Sequence, residues 1–217
     1  MYLYNKLMST IYTKKGNIVF EEKNFSNPKQ IDFIKSTNNL LAVKEVLDIN
    51  NVKFGLIYGT LLGAVREGNF IQHDEDVDLF VLEEDKDALI NILVDLLNIG
   101  FEVCRYDEKL LSIIRDNEYI DFYFFRKYLI FYRKSSAGLT YKASFLQETK
   151  NFIFLGETFQ VPKETEIFLK VLYGVNWKIP IKNTNALSHS KYIILREKFK
   201  VRFPLLFKFI SEIKSKL

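Results

Sequence analysis

The sequence is poor in the residues that most often build metal or redox centres. Its 217 residues include one cysteine and two histidines. A single thiol closes no internal disulfide, which fits a reducing compartment, and so few thiol and imidazole donors exclude a structural zinc site. Cys104 lies in the apolar run FEVC and reads as a small buried hydrophobe rather than a nucleophile. No window reaches 18 uncharged apolar residues, so no membrane-spanning helix is expected. The N-terminal MYLYNKLMSTIYTKK lacks the ordered regions and cleavage site of a signal peptide, and a cytoplasmic protein is the expectation. Excess charge is also scarce. A formal net charge of +4 makes no case for nucleic acid, and none is expected as a partner.

What the chain does have is core-forming material. Hydrophobic residues make up 48% and charged residues 27%, with 20 Phe and 12 Tyr. That composition supports a packed core rather than a disordered tail, and aromatics favour strands. Internal repeats and low-complexity segments are absent.

Periodicity predicts the element order. Apolar residues from Pro28 to Ile49 recur at mostly helical spacing. VKFGLIY (52–58) is a short apolar strand, broken by Gly59-Thr60, and LLGAVRE starts a helix at once. VDLFVL (77–82) is a second apolar strand. EEDKDALINILVDLLNIG reads as one amphipathic helix with acids in its first turn and Gly100 near its end. FEVCRY, LLSIIRD, YIDFYFF and YLIFYR are short strand-like runs, as are two segments around Gly156; within residues 1–26, NIVFEE is the one strand candidate. KETEIFLKVLYG is a helix, residues 187–200 another, and Pro204 opens a last one, PLLFKFISEIKSKL. The fold expected is α+β, close to α/β: one mixed β-sheet flanked by helices, with a helical C-terminal part.

The stretch HDEDVDLFVL carries the chemistry. Residues i and i+2 on a strand share a face, so Asp76 and Asp78 project together while Val77 and Leu79 point to the core. Two carboxylates on one face repel unless a cation lies between them, and hard oxygen donors suit Mg²⁺ or Mn²⁺. The alternative is an acidic surface turn. Asp121 is a lone charge among aromatics in YIDFYFF. It shares the same cation if its strand lies beside 77–82, or faces solvent if it does not. Upstream, Gly59 permits close backbone approach, and the N–H groups from Thr60 onward offer an anion site. Arg66, one to two turns later, can meet a phosphate or one of the carboxylates.

With these residues in view, the chain resembles the nucleotidyltransferase superfamily and, more narrowly, the LicD family of phosphocholine transferases and fukutin-related proteins. GTLLGAVREGNFIQHDEDVDL matches a hallmark that reads roughly GTLLGxxRxGxxIPWDxDxD. LYGVNWKIP (172–180) matches a YGxxWxxP element; by itself it also reads as a helix capped by Gly174 with Trp177 packed nearby. The resemblance anchors a nucleotidyltransferase-fold catalytic domain over residues 28–182, flanked by an N-terminal extension (1–27) and a basic helical segment (183–217). It implies metal ligation by Asp76, Asp78 and Asp121, with Asp74 as a second-metal or outer ligand. Gly59, Thr60, Arg66, Lys170 and Trp177 become candidates for binding substrate or phosphate. Lys170 also reads as a solvated helix lysine. The reaction implied moves a substituted phosphate from a CDP-activated alcohol (choline, glycerol, ribitol or similar) to a hydroxyl of a glycan or lipid-linked glycan. Such chemistry belongs to cell-surface polysaccharides such as capsule, lipopolysaccharide or teichoic acid.

Two departures and two rivals qualify the resemblance. Gln72-His73 replaces the usual Pro-Trp, which leaves the donor open; His73 itself reads as a surface residue. The chain looks short for the family, with no inserted acceptor-binding module. One rival is a nucleotidyltransferase moving NMP from NTP to a small molecule or protein. The other is an inactive binding or antitoxin-type member, against which the intact acidic triad argues. KYIILREKFKVRFPLLFKFISEIKSKL, with eight Lys/Arg among Phe, Ile and Leu, reads either as a peripheral contact with the inner face of a membrane or as a helix packed on the domain.

Overall fold

The computed structural model describes residues 8–23, 29–135 and 139–180. The chain divides into two compact units, Met1–Thr165 and Glu166–Leu217. The helices expected over 187–200 and 204–217 lie outside the described residues.

The first unit opens with a hairpin, β1 (Met8–Thr13) and β2 (Gly16–Glu21), whose turn is closed by Gly16 at φ 136°. Ile11, Ile18 and Phe20 are its buried side chains. Sequence reasoning anticipated the second strand and missed the first. Helix α1 (Phe33–Ile49) is capped by the Asp32 carboxylate, which accepts from the Ile34 and Lys35 N–H groups. It buries Leu40, Val43 and Leu47, a stripe one helical face wide.

A short strand, β3 (Gly55–Leu56), runs into α2 (Tyr58–Arg66). β4 (Val77–Leu82) follows and is buried over most of its length. α3 (Glu83–Asn91) and α4 (Leu93–Asn98) replace the single helix expected over this stretch. The break falls at Ile92, whose N–H reaches back to Leu89 and Ile90. There the Asn91 side chain accepts from the Lys14 N–H of the β1–β2 turn (3.0 Å). Three antiparallel strands come next: β5 (Glu102–Tyr106), β6 (Leu110–Arg115) and β7 (Glu118–Tyr128).

These strands form a mixed sheet in the order β3-β4-β7-β6-β5. β4 and β7 are its parallel pair, with Asp78 opposite Asp121 and Leu79 opposite Phe122. The far half of β7 continues into β8 (Tyr132–Lys134) and β9 (Thr140–Lys142). YLIFYR therefore supplies a turn and the start of β8 rather than a strand of its own. A short helix, α5 (Ser144–Gln147), leads to a separate hairpin, β10 (Thr149–Phe154) and β11 (Glu157–Pro162), around Gly156 as expected. α6 (Thr165–Tyr173) lies, from Glu166 on, in the second unit.

Candidate active site

The site is built on the parallel seam. Because β4 and β7 run side by side in register, Asp78 and Asp121 face each other across one rung. Asp76, two residues before Asp78, enters on the same side just before β4 begins. The rung continues: Ser112 on β6 lies opposite Asp121, and Arg105 on β5 lies opposite Ser112. A line of four polar side chains thus crosses four strands. Its last member depends on a β-bulge. The β5–β6 register shifts between Val103 and Arg105, so that Arg105, rather than Cys104, takes the place beside Ser112.

Local contacts fix each group. The Asp78 carboxylate accepts from the Gly59 N–H (2.8 Å), and the Asp78 N–H donates to the Thr60 hydroxyl (2.8 Å). No residue preceding α2 supplies a side-chain cap. Asp78 does so from β4, placing its negative charge at the positive end of that helix. Gly59 is required because a Cβ there would overlap the Asp74 carboxylate. Asp74 is held by its own backbone, whose carbonyl accepts from the Ile31 N–H (2.9 Å). Asp121 accepts from Arg105 Nη2 (2.8 Å) and from the Tyr123 hydroxyl (3.4 Å), while Arg105 Nε donates to Ser112 Oγ (3.0 Å). The Asp121 side chain is 2% exposed and that of Arg105 is 41% exposed. Asp121 Oδ1 is buried and makes no hydrogen bond.

The electrostatics follow from this crowding. Burial, then the charges of Asp76, Asp74 and Asp121, holds Asp78 well above the ordinary carboxylate range. Burial and the neighbouring Asp121, Asp74 and Glu75 do the same to Asp76. Asp74 is raised to about 6, mainly by burial. Burial also raises Asp121, against the opposing pull of Arg105 and the Ser112 hydroxyl beside it. Four acids thus share a pocket that penalises their charge, with one guanidinium in partial compensation.

The donors are oxygen, crowded and under-satisfied, which suits a hard divalent cation. Among the described residues, no three His, Cys, Asp or Glu side chains already form a metal-holding group. Asp78 is turned to Gly59 and Asp121 to Arg105.

Of the residues singled out by sequence, Asp74, Asp76, Asp78, Asp121, Gly59 and Thr60 come together. Thr60, among these, and Arg66, beyond them, make the following contacts. Thr60 is 1% exposed, and its hydroxyl receives the Asp78 N–H instead of standing open at the helix start. Arg66 clasps Glu67 Oε1 through Nε (3.1 Å) and Nη2 (2.5 Å). Lys170 and Trp177 belong to the second unit. There Lys170 is exposed, its carbonyl accepts from the Gly174 N–H (3.0 Å), and Trp177 is buried. His73 is exposed and lies 3.3 Å from Gln30 Nε2. Arg105 was missed. Its only sequence signal was a charge inside an apolar strand, and nothing in the spacing announced the bulge.

A mixed sheet with a helix starting at a Gly-Thr step and paired acids on its parallel seam defines a nucleotidyltransferase-type fold. The family of LicD/FKTN/FKRP nucleotidyltransferase domains matches residues 51–164, more than half of the chain, and the chain belongs to that family. Over 162 residues it is 30% identical to human ribitol-5-phosphate transferase FKTN, covering 70% of this chain and 35% of that protein. An uncharacterised protein of Rickettsia typhi is 32% identical over 83 residues, covering 38% of this chain and 26% of the relative. The chain thus spans about a third or less of the length of these relatives. In three dimensions it is similar to the antibiotic-resistance factor ANT(2″)-Ia, with a TM-score of 0.50 and 15% identity over 83% of this chain and all of that one. That likeness concerns the fold. No helix among the described residues is long and apolar enough to cross a membrane.

Proposed function

We propose that the chain is a metal-dependent phosphotransferase. It would move a substituted phosphate from a CDP-activated alcohol to a hydroxyl of a glycan or lipid-linked glycan and release CMP. One observation carries this reading most: Asp78 and Asp121 face each other on adjacent parallel strands, with a buried Asp121 oxygen that makes no hydrogen bond. Family membership and the similarity to a ribitol-5-phosphate transferase supply the reaction class.

In this reading Asp76, Asp78 and Asp121 hold Mg²⁺ or Mn²⁺, with Asp74 at the edge of the set. The ion would neutralise charge on the donor pyrophosphate. Gly59, with no Cβ, keeps the start of α2 narrow enough for the acids to lie against it. Thr60 holds the first residues of β4 in place through the Asp78 N–H. Asp121 would take the proton of the attacking hydroxyl, by position rather than by basicity. Arg105 keeps Asp121 in its rotamer and, being part-exposed, can turn its free N–H groups to a donor phosphate. Within the first unit, Arg66 would complete the proposed donor contacts.

The test is CMP release from CDP-ribitol, CDP-glycerol or CDP-choline in the presence of Mg²⁺ and a glycan acceptor. Turnover that survives Asp78→Asn would remove Asp78 from the chemistry. Pyrophosphate release from an NTP, with no CMP from any CDP-alcohol, would move the chain to the nucleotide-transferring side of the fold.

A further inference from the structure

The turn joining β7 to β8 has a composition that folding does not ask for. Polar turns use Gly, Asn, Asp or Ser. Here Leu129, Ile130 and Phe131 form the tip, 73%, 87% and 73% exposed. Leu129 sits at φ 57°, a conformation seldom taken by a bulky side chain. The three apolar groups are nevertheless all exposed at the end of a hairpin held from behind. Phe131 accepts from the Ala143 N–H (2.8 Å), and Arg133 is buried and clasps Glu84 (2.6 and 2.7 Å) behind it.

The face behind the tip is ordered by register. Paired residues on antiparallel strands share a side. Arg126 pairs with Lys134, Tyr128 with Tyr132, and Tyr132 with Lys142. One face of this small sheet therefore carries two tyrosines and three cations, and these paired positions include no acid. Of the nearby carboxylates that bind this hairpin, Glu84 meets the Lys127 and Arg133 side chains, whose positions alternate to the other face, and Glu83 accepts from the Lys127 backbone N–H (3.2 Å). Lys134 lies over the Tyr128 ring at 5.4 Å, which keeps its charge on the aromatic side.

An apolar tip, then tyrosines with Lys142 beside them, then Arg126 and Lys134 behind, follows the gradient presented by a bilayer surface: acyl chains, headgroup boundary, anionic phosphates. A protein partner of ordinary composition would have no reason to match that order along one axis. We propose that this hairpin seats the protein on an anionic lipid surface, with Leu129, Ile130 and Phe131 entering the boundary below the headgroups. The contact is peripheral. It also stands apart from the transfer reaction.

The experiment uses the full chain and vesicles of phosphatidylcholine, alone or mixed with phosphatidylglycerol, without donor or acceptor. The expected result is co-sedimentation with mixed vesicles and little with the neutral ones, weakening as salt is raised. Ile130→Asp combined with Phe131→Ser should weaken binding at least about tenfold. Arg126→Ala and Lys142→Ala should each cost about fivefold. Phe131→Trp preserves an apolar tip and should add a vesicle-dependent blue shift to the emission, which in wild type, with only the buried Trp177, should not respond to vesicles. Equal binding by the tip variant, or equal binding to neutral vesicles, would overturn the proposal. So would binding lost only on deleting residues 201–217. A tip-dependent dimer by light scattering would assign the surface to a second copy of the chain instead.

Discussion

Asp78 meets three demands at once. It caps α2, faces Asp121 and pays for both with burial of its own charge. Asp78→Asn can still accept the Gly59 N–H while removing the charge that the pocket disfavours. Without divalent ions at neutral pH, this variant should melt higher than wild type, by about 2–4 °C for each kcal/mol relieved, and should release no CMP. Calorimetry and the CMP assay check the two halves. Arg105 is the opposite case. Arg105→Gln leaves the buried Asp121 charge without its guanidinium, and urea denaturation should show a loss of about 1–3 kcal/mol, tempered because Arg105 is part-exposed. The loss should shrink as pH falls, because a protonated Asp121 needs no counter-ion. Gly59→Ala should cost a similar amount, since the new Cβ would overlap the Asp74 carboxylate. Asp74→Ala should restore most of it in a double-mutant cycle; additive effects would mean that the two groups are not in contact. The acids could be read in advance because strand parity alone puts Asp76 and Asp78 on one face. Arg105 could not, because its place depends on a single extra residue in β5.

At the scale of elements, strongly patterned segments formed where their periodicity put them. α1 shows the helical stripe of Leu40, Val43 and Leu47, and β4 is the apolar run VDLFVL. Less legible were features set by partners distant in sequence. β3 shrinks to two residues at Gly55, where a Cβ would overlap the Phe80 ring and the Gln160 carbonyl, before the chain turns into α2. The long helix breaks at Ile92, beside the Asn91 contact with a turn some 77 residues earlier. No local window contains either partner. Likewise, nothing before the structure indicated that Glu84, in the first turn of α3, ties that helix to β8 through the buried Arg133. The Arg133 guanidinium draws Glu84 down to about 2 from an ordinary 4.5. A depressed acid stabilises the fold fully above its unfolded value and ceases to do so as pH drops through its folded one. Wild type should therefore lose this contribution between about pH 4.5 and pH 2, whereas Glu84→Gln should show a flatter stability profile over that window. Glu84→Ala should also destabilise at neutral pH, because it strands a buried guanidinium.

For the molecule as a whole, the same cluster links fold, ion and pH. Asp74, Asp76, Asp78 and Asp121 all have folded-state pKa values above their ordinary ones. A raised acid binds protons more tightly folded than unfolded. The native state is therefore favoured at low pH, and that advantage is lost as pH rises from the ordinary carboxylate value through the raised ones. A divalent cation held by these acids competes with the same protons and should reverse the trend. The shift in melting temperature produced by Mg²⁺ should accordingly be small near pH 5 and grow toward pH 8, following the mass-action form for a ligand of the native state. In Asp78→Asn the growth should largely vanish, while in Arg105→Gln it should begin at lower Mg²⁺, because a competing positive charge has gone. CDP-ribitol added with Mg²⁺ should raise the melting temperature further only where the ion shift is present. A Mg²⁺ shift independent of pH and unchanged in Asp78→Asn would place the ion elsewhere on the chain and detach the acidic seam from the proposed transfer.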